Sequence, residues 1–137
     1  MKKSSISFEA IKIRPRHGKQ IYGIYYVKIG NKVPVKSAFS KLDKDTQDLI
    51  KVLITNLATM EHFESPKILY KLKKGMTYHE IRPGKHRFFF FQKCGKNYIF
   101  FDYVLNKTSK LKEEFYKELE KKKAIYEEEF ERFKSGN

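Results

Sequence analysis

The order of patterned segments predicts an α+β fold: two strands, a helical stretch, three strands and a closing helix. The first sign is residues 75–110, GMTYHEIRPGKHRFFFFQKCGKNYIFFDYVLNKTSK. They hold three short runs rich in aromatic and β-branched residues, separated by Pro83-Gly84 and Cys94-Gly95. The second is apolar spacing of three and four residues after Asp43 and again towards the C-terminus. The third is alternation within residues 4–13 and 20–29, the period of strands.

Taken in order, residues 4–13 alternate at Ile6 and Phe8 and resume at Ile11 and Ile13 after a slip near Ala10, as in a bulged strand. A basic turn, 14–18, leads to a second strand over 20–29, which Gly30-Asn31 ends. Residues 34–41 form a short helix with Phe39 inward. Asp43 then caps a longer helix with Asp45 in its first turn and Leu49, Ile50, Leu53, Leu57 and Met60 on its core face. Residues 62–66 close that helix, and 68–72 lead into the three strands. Leu111, Phe115, Leu119, Tyr126, Phe130 and Phe133 make the stripe of a C-terminal helix over 109–134, whose charges form a solvated face. The expectation is a single domain, 1–137, built on a small antiparallel sheet. Two helices come from its N-terminal half and a long one from its end, and 1–18 is an extension that adds a strand.

Hydrophobic residues make up 40% of the chain and aromatics 15%, enough for a packed interior rather than a disordered tail. Thirty Lys and Arg against 16 acids give a formal charge of +14, which points to an anionic partner: nucleic acid, ribosome, acidic membrane or acidic protein. The lone Cys94 excludes an internal disulfide, and no His/Cys spacing resembles a zinc site, so no metal or cofactor is expected. No apolar run reaches the roughly 18–20 residues of a membrane span, and no signal-peptide core opens the chain. A soluble, cytoplasmic product without a membrane partner is the expectation.

Turn chemistry predicts which side chains meet. Two-residue loops at Cys94-Gly95 and Pro83-Gly84 set Arg87 opposite both Asp102 and Glu80, a row flanked by Phe89, Phe100 and Arg82. His79, Phe88 and Phe101 form the row on the other face, and a three-residue loop at either turn dissolves the arrangement. Two readings of the Glu80–Arg87–Asp102 row stand together. One is a structural ion-pair network; the other is a phosphate-binding arginine held by carboxylates, since the guanidinium presents a fixed fork of donors. Lys71, Lys73 and Lys74 precede a strand, where they either contact a nucleic-acid backbone or are merely solvated. His79 and His86 are of the residue type suited to acid–base work, and equally to packing. The aromatic run 88–91 alternates to both faces, as a central strand buried on two sides does. No nucleophile elbow, paired-carboxylate motif or Gly-rich phosphate loop is present.

Several segments together resemble the RelE/ParE toxin superfamily, and within it the phage-derived HigB branch. These are Lys32-Val33-Pro34-Val35 with Phe39, Leu42 and the helix 46–57; Leu72-Lys73-Lys74-Gly75; His79-Glu80-Ile81-Arg82; and His86-Arg87-Phe88-Phe89-Phe90. Val104, Asn106, Lys107 and Lys110 stand where that branch has its basic segment after the last strand. The likeness spans about residues 22–126. It implies a RelE-like fold and a toxin of a type II toxin–antitoxin system, an mRNA interferase that cuts messages on the ribosome and inhibits growth. The implied chemistry is metal-independent attack of a ribose 2′-hydroxyl on the adjacent phosphate. The implied partners are mRNA, the ribosome and an antitoxin of helix-turn-helix type.

Carried over, Arg87 matches the strand arginine that stabilises the transition state, Arg82 matches a second arginine, and Lys107 with Asn106 matches a basic pair that assists the reaction. Asp102 stands in the catalytic position where many relatives have histidine, and Lys112 replaces a helix-starting proline. Lys71, Lys73, Lys74, His86, Asn106 and Lys110 are the implied RNA contacts. The acceptor of the 2′ proton stays open among His79, His86, Tyr103 and Glu80. The same resemblance also admits non-catalytic proteins: a gyrase-poisoning ParE-like toxin, or a non-toxic phage-borne module that binds RNA or protein.

Overall fold

Four phenylalanines in a row, 88–91, are each almost wholly buried, which requires a strand covered on both faces and paired on both edges. The computed structural model supplies that setting. It describes residues 5–15, 18–61, 77–105 and 113–136, and the backbone of 69–70. The elements are β1 (Ile6–Ala10), β2 (Gly23–Ile29), α1 (Pro34–Ser40), α2 (Lys44–Thr59), β3 (Leu69–Tyr70), β4 (His79–Ile81), β5 (His86–Gln92), β6 (Asn97–Leu105) and α3 (Glu113–Lys134). They form an α+β domain with one six-stranded sheet in the order β1-β2-β6-β5-β4-β3. The added N-terminal strand is present as β1.

All ladders are antiparallel except β2 with β6, so the sheet is mixed rather than purely antiparallel. The parallel pair starts at Gly23 opposite Asn97, where a Cβ on Gly23 would lie 2.7 Å from Asn97 Oδ1. Glycine there lets two strands that are distant in sequence approach closely.

Helices cover both faces. Below the sheet, α1 and α2 bring Val35, Ile50, Leu53, Ile54, Leu57 and Ala58 against Ile24, Phe88, Phe90 and Phe100. Above it, Leu119, Tyr126 and Phe130 of α3 pack on Phe8, Val27, Phe89, Phe91, Ile99 and Phe101. Each aromatic face therefore has its own apolar cover, which at about 1.5–3 kcal/mol per buried side chain favours this layering.

Asp43 caps α2 as its position implies, accepting from the Thr46 amide at 2.7 Å. Those hydrogen bonds from Thr46 hold the Asp43 carboxyl below its ordinary pKa. Two residues expected in the core of α2 are not there: Leu49 is 44% exposed and Met60 46%. The buried stripe runs 50, 53, 54, 57 and 58, so Leu49 falls to its side, while Met60 has left the helix with extended backbone angles.

Three polar contacts tie α3 to the sheet and to the residue pair that leads into β4. Glu120 accepts from the Thr77 amide and hydroxyl, Lys122 reaches Asp102 at 2.8 Å, and Lys93 reaches Glu131 at 2.8 Å. Lys123 lies on the buried stripe; its ammonium sits 5.9 Å from the Phe91 ring centroid and pairs with Glu127 at 2.9 Å. Among the described residues, no helix is long and apolar enough to cross a membrane.

Candidate functional site

The expected row centred on Arg87 does not form. The loop after β5 has three residues: the Lys93 amide donates to Asn97 O at 3.1 Å, with Cys94 (φ 54°) and Gly95 (φ 80°) both left-handed. A bulge then leaves Phe101 as an extra residue on β6, between the pairs Phe90–Phe100 and Phe89–Asp102. The turn before β5 is centred on Gly84 (φ 63°) and Lys85 rather than Pro83-Gly84, with the His86 amide donating to Pro83 O at 3.1 Å. Each change moves a partner by two residues in total. Phe89 therefore sits between Glu80 and Asp102, and Arg87 faces Val104. A shift of two keeps Glu80, Asp102 and Arg87 together on the α3 side, whereas Phe100, ahead of the bulge and shifted by one, turns to the α1–α2 side with Phe88 and Phe90. Phe101 moves to that side too, packing with Phe89 and Phe91.

The three polar groups then part company. Glu80, 7% exposed, accepts from Arg82 Nε at 2.9 Å and Nη2 at 2.5 Å through Oε1. Its Oε2 has no hydrogen-bond partner among the described residues. Asp102 accepts from the Tyr103 amide and from Lys122, both at 2.8 Å. Burial opposes the Lys122 ammonium, but the bond and charge of Asp102 outweigh it and leave its pKa above the ordinary value. Arg87 is only 8% exposed, and its Nη1 donates to Gly84 O at 3.1 Å and His86 O at 3.3 Å. It braces the turn that presents Lys85 and His86.

The opposite face of the same sheet end holds an arrangement absent from sequence reasoning as a pair. His86 Nδ1 lies 2.8 Å from the Tyr103 hydroxyl, and their rings stack at 5.9 Å. Both side chains are partly exposed. Burial raises the Tyr103 pKa, so it is a phenol at neutral pH with a proton to donate to His86 Nδ1. Lys85 is exposed beside them in the turn. Of the four open candidates for the proton acceptor, Glu80 is engaged by Arg82, and His79 packs its ring on Phe90 at 5.4 Å. His86 and Tyr103 alone share a hydrogen bond at an accessible edge.

Burial, with a lesser contribution from Lys123, holds the His79 pKa below its ordinary 6.5. The unfolded chain therefore takes up this proton first as pH falls, and folding stability drops from about pH 6.5 down to the depressed folded value, then levels. In His79→Gln that part of the acid-side loss is expected to vanish, as urea midpoints across pH 4–8 will measure.

Lys71, Lys73, Lys74, Asn106, Lys107 and Lys110 lie outside the described residues. Asn106 follows Leu105 in sequence, the last residue of the strand that carries Tyr103. Among the described residues no group of three or more His, Cys, Asp or Glu is placed to hold a metal. Comparison of the chain with protein-family models, with curated proteins and with solved structures finds no match.

Proposed function

We propose that the chain is the toxin component of a type II toxin–antitoxin pair, a ribosome-associated mRNA endoribonuclease acting in the cytoplasm. The observation that supports this reading best is the His86–Tyr103 hydrogen bond, set at an accessible sheet end beside the exposed Lys85. The 2′-oxygen bonds to phosphorus as its proton passes to the Tyr103 oxygen, and the Tyr103 proton moves to His86 Nδ1. The P–O5′ bond breaks and the 5′-oxygen takes up a proton, with Lys107 assisting the reaction as the resemblance implies. Lys85, exposed in the adjoining turn, offsets charge on the phosphorane oxygens, with Arg87 holding that turn in place. RNA phosphates and an acidic antitoxin surface are both complementary to a chain of charge +14.

Inducible expression without any partner is the test. Growth arrest with truncated messages and intact chromosomal DNA is expected, and His86→Gln is expected to relieve the arrest at equal protein level. Co-expression of an acidic helix-turn-helix partner is expected to restore growth.

A second reading, a non-catalytic binding protein on the same scaffold, draws on the burial of Arg87 and the pairing of Asp102 with Lys122. Chromosome damage with intact messages would favour a gyrase poison of the ParE kind. Harmless expression would favour a phage-borne RNA- or protein-binding module.

A further inference from the structure

Past β1 the chain stays extended but leaves the sheet. Ile11 still donates its amide to Ile24 O at 2.8 Å, whereas the backbone of Lys12, Ile13 and Arg14 makes no hydrogen bond among the described residues. The departure opens a cleft of about 360 Å³ between this segment and the second half of α2. That volume is at the lower end of the roughly 300–1,000 Å³ that small-molecule sites occupy.

Its walls are apolar: Ile11 and Ile13 on one side, Phe39 and Ile54 on the other, with the Tyr26 ring between. Burial, then Glu9, pushes the Tyr26 pKa up to about 12, so this wall is an uncharged phenol. Tyr26, Phe39 and Ile54 also border a small void of about 10 Å³ in the core beneath, so the cleft floor backs on space rather than solid packing. The charged residues lining it are Lys12, Arg14 and Lys51, all exposed, and no carboxylate lines it.

An apolar interior ringed by cations alone selects against two classes of ligand. A nucleic-acid backbone has no apolar body to bury there, and a neutral hydrocarbon leaves three ammonium and guanidinium groups unused. A protein partner at this position needs a contact face of about 800 Å² per side, which a small concave cleft does not supply by itself. We propose that this cleft binds a small amphiphilic carboxylate, an aliphatic or aromatic body of about fatty-acid size lying against Ile13, Tyr26, Phe39 and Ile54 with its carboxylate among Lys12, Arg14 and Lys51. The site stands apart from the His86–Tyr103 end of the sheet and does not depend on the ribonuclease reading.

Dodecanoate titrated calorimetrically into the full-length chain is the test, with dodecanol and acetate as comparisons. One saturable dodecanoate site is expected, with dodecanol and acetate each at least about tenfold weaker because each lacks one half of the recognition. Lys51→Glu, an exposed position, is expected to weaken dodecanoate about tenfold or more, and Thr55→Trp to block the cleft. Unchanged far-ultraviolet circular dichroism and melting will show that both variants fold. Absence of saturable binding overturns the proposal. So does binding that either folded variant leaves intact, equal affinity for dodecanol, or displacement of dodecanoate by a hexaglutamate peptide at equal concentration.

Discussion

Arg82→Ala is expected to cost about 3–5 kcal/mol of folding stability, because it strands a carboxylate in the interior. Glu80 has a side chain only 9% exposed, and among the described residues the hydrogen bonds to its Oε1 come from Arg82. Removing the guanidinium leaves a desolvated charge beside Phe89 without its ion-pair partner. Urea unfolding at neutral pH measures the effect. The double variant Arg82→Met with Glu80→Met is expected to be far less damaged than Arg82→Ala, since it removes the charge along with its partner. A loss below about 1 kcal/mol for Arg82→Ala would place the pair among ordinary surface ion pairs.

Tyr103→Phe is expected to have the largest effect on activity, lowering RNA cleavage by about 10²- to 10⁴-fold, the range of a lost acid–base group. The ring is retained, so its packing on Phe88 at 4.7 Å persists, and stability is expected to fall by no more than about 1.5 kcal/mol for the lost bond to His86. His86→Gln is expected to cost a similar factor. The double variant is expected to be little worse than either single one, because the two groups move one proton between them. Multiplicative losses would show that they act separately.

Local chemistry carried much of the fold. Asp43 has the residue type and spacing of a cap, and it caps; the 88–91 run has no polar face, and it is buried on both. The Leu119, Tyr126 and Phe130 stripe predicted the packed face of α3 for the same reason. What stayed illegible is non-local. The parallel pairing of β2 with β6 depends on where a strand returns after an intervening span that includes two helices and three strands. Register in β6 is poorly specified because its sequence, NYIFFDYVL, lacks the strict alternation that would penalise a slip. The bulge at Phe101 and the turn at Gly84-Lys85 follow from that freedom, and together they decide Arg87's neighbours. His86 and Tyr103 were each visible as candidates, but a bond across 17 residues exists only in the folded register.

The central claim is that the His86–Tyr103 end of the sheet cuts RNA by 2′-hydroxyl attack. Mapping of message ends after induction, wild type against Tyr103→Phe at matched protein levels, tests it most directly. The account predicts new 5′-hydroxyl ends paired with 2′,3′-cyclic phosphates in the wild type and their near-complete loss in Tyr103→Phe. Intact messages in the wild type, or the same ends at the same abundance in Tyr103→Phe, would contradict it.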